Sequence, residues 1–330
     1  MVKIDVSPLC ALACPTCLHA DPAGRNRPLL DAQNFSSLDR IDIAKFAEII
    51  EELKGRALAV SLSYYGDPLM HPAISELSRI AANTGVAVHI TTHFSYNWSD
   101  AKIQALVESG LSHLTVALDG ATQDVYEVTR INGRVDFVIN NLRRVIEIRN
   151  RLGRSIPKVE VQHIRHPHHD KTERERVRAI ADDAGVDHFI TFKGVRYDRD
   201  GDLYNVVDSD AGGARSGTAL KSSALPRCHW PFSSTVIKVT GDVIPCCMWR
   251  EGQQYIDNGD TRSLGNVFDQ PLSEIWNSPS YQALRKEVSN PSRHGKIGSF
   301  CEGCSYLYES TPRVGEFNEH GELVEAWTAQ

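Results

Sequence analysis

Over the first 193 residues, short apolar runs alternate with longer stretches of helical period, and that alternation limits the chain to few folds. The strand candidates are 2–6, 57–63, 86–92, 113–118, 157–164 and 187–192. Helical patterns lie between them near 43–54, 73–84, 100–109, 135–151 and 170–184. In the first of these, Ile43, Phe46, Ile49, Ile50 and Leu53 fall on one face of a 3.6-residue period. Strands joined through helices form right-handed βαβ units, so the sequence predicts an α/β chain with a parallel sheet.

A short loop after the first strand carries Cys10, Cys14 and Cys17, with three residues between the first pair and two between the second. Three soft thiolates so close together suit an iron–sulfur cluster. A [4Fe–4S] cluster has four iron corners, so three cysteines leave one iron open to a small molecule. The competing readings are a zinc knuckle or a disulfide pair. Zinc needs a nearby fourth ligand, and only His19 is local, the next cysteine being Cys228.

The cysteine pattern resembles that of the radical S-adenosylmethionine (SAM) superfamily. The resemblance implies a partial (β/α)6 TIM-like barrel and a SAM-binding [4Fe–4S] cluster whose open iron chelates the methionine end of SAM. It also implies a site at the C-terminal ends of the strands, where the cysteine loop lies. Thr16 stands where the family usually has an aromatic before the third cysteine.

Other strand ends supply candidates on the same resemblance. Tyr65, Gly66 and Asp67, before Pro68, resemble the family's Gly-Gly-Glu-Pro segment, with Tyr65 and Asp67 as departures. That segment meets the methionine amino group, from which a carboxylate or backbone carbonyl accepts. Thr92 ends the third strand and would reach the cofactor ribose or the substrate; His93, beside it, is a mouth or surface residue. Asp119 ends the fourth, followed by Arg130, whose forked guanidinium suits the cofactor carboxylate. Gln162 and His163 point to opposite faces of the fifth strand, and Gln162 is taken as cofactor-binding. His163, His166, His168 and His169 cluster there, but Pro167 breaks their periodicity and they are read as a mouth loop.

The strand–helix pattern stops at Gly194, and 194–225 reads as a linker or mouth loop. A second cysteine set follows: Cys228, Cys246, Cys247, Cys301 and Cys304. A hairpin over 234–246 with a Gly241-Asp242 turn carries Cys246 back toward Cys228, and a helix is expected over 271–287. Cys228, Cys246, Cys301 and Cys304 make a four-thiolate set, a zinc ribbon in isolation. Behind a radical SAM loop it resembles the twitch, a shortened SPASM domain, which implies one auxiliary [4Fe–4S] cluster. The expected organisation is a radical SAM barrel over 1–193, an auxiliary-cluster domain over 226–310 and a tail over 311–330. Strand alternation assigns Cys246 as ligand and leaves Cys247 as a candidate catalytic hydrogen-atom donor.

A net charge of −6 gives no electrostatic case for nucleic acid or an anionic membrane. No 18-residue apolar stretch or signal peptide is present, so a cytoplasmic chain is expected, its cysteines more suited to metal than to disulfides. The resemblance implies an external one-electron reductant, flavodoxin-like. Peptide-modifying relatives carry a leader-binding domain before the cluster loop; here that loop starts at residue 10, which points to a small molecule. The expectation is hydrogen abstraction from a hydroxylated, aminoglycoside- or aminocyclitol-like sugar, ending in epimerisation through Cys247. The alternatives are dehydrogenation of an alcohol, modification of a ribosomal peptide, or a non-catalytic iron–sulfur redox sensor. Asp198, Asp200 and Asp202 are candidates for meeting substrate ammonium groups.

Overall fold

Six strands pair in sequence order, each parallel to the next: β1 (Val2–Ile4), β2 (Ala59–Ser61), β3 (Ala87–Thr92), β4 (His113–Ala117), β5 (Lys158–Arg165) and β6 (His188–Lys193). The structure, a computed structural model, describes residues 1–14, 17, 40–193, 195–197, 203–205, 228–247, 263–289, 299–301, 315–317 and 323–326. Between the strands run α1 (Ile43–Leu53), α2 (Ile74–Asn83), α3 (Asp100–Glu108), the short α4 (Gln123–Tyr126), α5 (Val135–Arg151) and α6 (Glu173–Ala184). The mixed α/β class with a parallel-dominated sheet is the expected one. β1 also meets a later segment, Asp5 N donating to Ile237 O at 2.8 Å.

Local chemistry sets the helix ends. Asp42 caps α1 by accepting from Ala44 N and Lys45 N at 2.9 and 3.0 Å. Gly185 ends α6 with φ +78°, a left-handed conformation in which a side chain is strained. The helix-facing core is continuous: Val60, Leu62, Val88, Ile90, Leu114, Val116, Val159 and Val161 are all fully buried. Each such side chain contributes about 1.5–3 kcal/mol on leaving water.

Contacts divide the chain into two compact units, Met1–Val207 with Val236–Asp242, and Asp208–Thr235 with Val243–Gln330. The second contains α7 (Trp230–Ser233), β10 (Val243–Ile244), α8 (Leu272–Trp276) and α9 (Pro279–Ser289); β9 (Thr235–Ile237) spans the boundary. Two hairpins were not anticipated: β7 (Val195–Tyr197) with β8 (Leu203–Asn205), and β11 (Gly315–Phe317) with β12 (Leu323–Ala326). The single helix expected over 271–287 is two, α8 and α9, because Pro279 has no N–H with which to continue α8 and instead starts α9. Among the described residues no helix is long and apolar enough to cross a membrane.

Candidate active site

The cysteine loop is strapped from two sides. Asp67 N donates to Leu9 O at 2.7 Å, and Ala13 N donates to Ile131 O at 3.0 Å. A Cβ at Gly66 would stand 2.2 Å from Leu9 O, so only glycine lets the β2 end approach the loop this closely. Cys17 N donates to Cys14 O at 2.9 Å, turning the loop between its last two thiols. Cys10, Cys14 and Cys17 are free thiols, Cys14 buried and the others half-buried. Burial, then the Asp67 charge, pushes the Cys10 thiol up to about 12; the Leu12 backbone N–H opposes them and Cys14 and Cys17 contribute in the same sense as burial. Burial also raises Cys14, against the pull of the Arg130 guanidinium.

Asp67 is a hub rather than an open acceptor. It is buried; its Oδ1 accepts from Leu69 N (2.9 Å) and its Oδ2 from Thr92 Oγ1 (2.7 Å) and His93 N (2.9 Å). Thr92 Oγ1 in turn accepts from Phe94 N at 2.9 Å, so its hydroxyl is occupied within the protein. Phe94 has φ +52°, a strained value for a side chain, in the turn these bonds hold. His93 is buried and its ring lies tilted against Tyr96, ring centroids 4.6 Å apart. Tyr65 is buried edge-on against Tyr64.

Asp119 and Arg130 form a pair, the carboxylate fully buried and the guanidinium side chain 17% exposed. Arg130 Nε and Nη2 reach Asp119 Oδ2 at 2.7 and 2.6 Å, and Arg130 Nη1 lies 3.9 Å from Cys14 Sγ. Ile164 N donates to Asp119 Oδ1 at 2.8 Å, and His166 Nε2 is 3.9 Å from Oδ2. Burial would raise the Asp119 carboxyl, but Arg130, His166 and the Ile164 N–H together hold it well below the usual carboxylate range. A Cβ at Gly133 would lie 2.7 Å from Arg130 O, so that loop is close-packed behind the arginine.

The inner face of the strands carries a polar chain that the sequence reading missed. His89 Nδ1 lies 3.1 Å from Ser61 Oγ and its Nε2 3.0 Å from Thr115 Oγ1, while Thr115 donates to Glu160 Oε1 at 3.1 Å. Burial drops the His89 pKa to about 4, so its ring is neutral near pH 7. The protons then run one way: Ser61 O–H to Nδ1, Nε2–H to Thr115, Thr115 O–H to the carboxylate. The signal was present as polar residues at period two in strands whose other face is apolar. Gln162 shares this face with Glu160, two residues away, whereas His163 faces the helices, fully buried with Nδ1 on Leu118 O at 2.9 Å. Rings of His163, His166, His168 and His169 pack together beside Asp119, centroids 4.4–5.8 Å apart.

In the second unit, α9 is the spine. Tyr281 OH donates to Thr235 Oγ1 (2.7 Å), which donates to Ile244 O (3.0 Å) at the strand leading to Cys246. Glu287 accepts from Ser299 Oγ (2.6 Å), which accepts from Cys301 N (2.9 Å). Burial pushes the Tyr281 phenol up to about 12, and the Cys246 charge adds to this while Thr235 and Arg285 oppose it. The strand expected to run through Cys246 ends at Ile244, so alternation does not assign Cys246 and Cys247 to opposite sides. Cys304, Thr16, His19, Asp198, Asp200 and Asp202 lie outside the described residues.

Residues 4–157 match the family model of the Radical SAM superfamily, and residues 228–305 match SPASM, an iron–sulfur cluster-binding domain. The chain carries a Radical SAM domain followed by a SPASM domain. It is similar to the GTP 3′,8-cyclase of Chlorobaculum tepidum, 30% identical over 147 residues, 44% of this chain and 40% of that protein. It is also similar to the S-adenosyl-L-methionine-dependent 2-deoxy-scyllo-inosamine dehydrogenase of Niallia circulans, 27% identical over 110 residues, 33% of this chain and 40% of that protein. The chain thus matches two fifths of the length of each of these relatives. Streptococcus suis SuiB bound to S-adenosylmethionine shares the fold, with TM-score 0.64 at 16% identity over 93% of this chain and 71% of that one.

For the radical SAM protein, these domains imply a SAM-binding [4Fe–4S] cluster, an auxiliary cluster and SAM. The donor set fits the first cluster: three free thiols on one strapped loop, with a cation beside Cys14. Among the described residues no three His, Cys, Asp or Glu side chains converge as a single ion would need. A cluster spreads its thiolates further apart than one ion does, so that finding bears on zinc more than on iron–sulfur.

Proposed function

We propose that this radical SAM protein is an enzyme that takes a hydrogen atom from a C–H bond of a hydroxylated small molecule, an aminoglycoside- or aminocyclitol-like sugar, and returns one from Cys247 to give an epimer. The observation that carries the reading is the three-thiol loop at the β1 end beside a strand face lined by Ser61, His89, Thr115, Glu160 and Gln162. A face of hydroxyls, amide and carboxylate suits a polyhydroxylated substrate with ammonium groups better than an apolar one. When bound, the cluster and SAM supply the 5′-deoxyadenosyl radical from one electron of an external, flavodoxin-like reductant.

The chain's residues divide by what their polar atoms are already doing. Gln162, on the inner face of β5, is proposed to meet cofactor or substrate directly, and Tyr65 is proposed as a cofactor contact from its place beside Gly66 alone. Gly66, Asp67, Thr92, Asp119 and Arg130, first expected as direct contacts, position the loop around them, since their polar atoms or close approach are taken up within the protein. Cys10, Cys14 and Cys17 are proposed to hold the first cluster, and Cys228, Cys246, Cys301 and Cys304 the auxiliary one. Ile244, two residues before Cys246, is tied through Thr235 to Tyr281 of α9, the helix whose Glu287 also ties the Cys301 segment, and Cys246 is taken as the ligand from that segment.

In the epimerase reading Cys10, Cys14 and Cys17 would hold the cluster whose SAM chemistry would take H• from the substrate carbon, and Cys247 would return H• to that carbon from its S–H. The resulting thiyl is restored by one electron from the external reductant and one solvent proton. The second reading, dehydrogenation of a secondary alcohol with the surplus electron passing to the auxiliary cluster, is favoured by the similarity to the inosamine dehydrogenase. Turnover in deuterated water separates the two. The epimerase reading expects one solvent deuterium in a product otherwise of substrate mass, lost in Cys247→Ala. A product two hydrogens lighter, with Cys247→Ala silent, overturns it in favour of dehydrogenation.

A further inference from the structure

The Arg130 guanidinium lies between a carboxylate and a thiol. One edge, Nε and Nη2, grips Asp119 Oδ2, and Nη1 on the other side stands 3.9 Å from Cys14 Sγ. Asp119 is fully buried and its other oxygen is fixed by Ile164 N–H, so the pair is anchored to β5 on one side and to the cysteine loop on the other. The backbone repeats this tie, with Ala13 N on Ile131 O one residue after the arginine.

We propose that Arg130 is a positioning residue that holds Cys14 by a charge-assisted N–H···S bond and raises the reduction potential of the cluster bound there, while Asp119 limits the effect by compensating its charge. The proposal rests on reading residues 10–17 as the cluster loop. Reducing a cluster by one electron adds one negative charge. A cation and an N–H donor on a ligand sulfur stabilise that added charge, more so where burial lowers the dielectric. Of the two charges the arginine is the one in contact with the sulfur, so its sign prevails there. Asp119 holds the fork in one orientation, a task a lysine ammonium performs only as a point charge.

The test is an EPR-monitored redox titration of the reconstituted full chain without SAM or substrate, following the signal that Cys14→Ala abolishes. Arg130→Gln removes the cation and leaves the buried carboxylate. Its reduced-to-oxidised ratio at a fixed potential is expected to fall about tenfold, a midpoint about 59 mV more negative for a one-electron couple. Asp119→Asn leaves the cation uncompensated and is expected to shift the midpoint the other way; Arg130→Lys falls between wild type and Arg130→Gln. A purely structural role lowers iron content without opposite shifts in the two variants. An unshifted or reversed midpoint in an iron-loaded Arg130→Gln or Asp119→Asn overturns the proposal, and Asp119→Asn with Arg130→Lys decides it alone if Arg130→Gln takes up no iron. Wild-type chain that binds no iron overturns the cluster-loop reading itself, a result distinct from a loaded cluster with an unmoved midpoint.

Discussion

Thr92 Oγ1 donates to Asp67 Oδ2 across 2.7 Å, joining the end of β3 to the end of β2 beneath the cysteine loop. The same carboxylate caps Leu69 N and accepts from His93 N. Asp67→Ala leaves these donors buried without an acceptor, each at a cost of about 1–3 kcal/mol. The expected outcome is a folded but clearly destabilised chain in urea unfolding, with Asp67→Asn intermediate. Wild-type stability in Asp67→Ala would contradict the hub role.

Gly66 is the second support of the loop. A methyl there meets backbone, not a movable side chain. Gly66→Ala is therefore expected to lower iron incorporation and SAM cleavage together, because the loop must move away from β2. Full iron content in that variant would show that the loop does not depend on this approach.

Much of this was legible beforehand. Apolar periodicity placed the six parallel strands and the five longer helices between them, because burial on one face dictates both. The two cysteine sets stood out for the rarity of such spacings. What did not show was how polar groups pair: Asp67, Thr92, Asp119 and Arg130 read as ligand contacts from their strand-end positions. Their partners are 11 to 116 residues away in sequence, so only the fold reveals that they bind one another and the cysteine loop. The Ser61–His89–Thr115–Glu160 chain was missed for the same reason, each residue being unremarkable on its own strand.

His89 gives the fold a pH signature. Its pKa falls from 6.5 to about 4 on folding, mainly through burial. Between those values the unfolded chain binds a proton that the folded one refuses, so stability drops as pH falls from about 6.5 toward about 4. For this half-buried ring the loss is on the order of 1–3 kcal/mol after allowance for screening. His89→Gln is expected to flatten that part of the stability–pH curve, measured by urea unfolding at a series of pH values. An unchanged slope would assign the titration to other groups, His169 first among them, since burial lowers it to about 4 as well.

The adjacent cysteines separate by iron content. Cys246→Ala is expected to lose the auxiliary cluster, about half of the iron if both clusters are of the [4Fe–4S] type. Cys247→Ala is expected to retain it. The reverse pattern would exchange the two assignments and remove Cys247 as hydrogen donor.

The most direct test is anaerobic reconstitution of the full chain, followed by an iron count and an assay for 5′-deoxyadenosine after adding SAM and a one-electron reductant. Two clusters predict about eight irons per chain and 5′-deoxyadenosine formation that Cys14→Ala abolishes. A colourless zinc-bound chain, or an iron-loaded one that leaves SAM intact, would contradict the account.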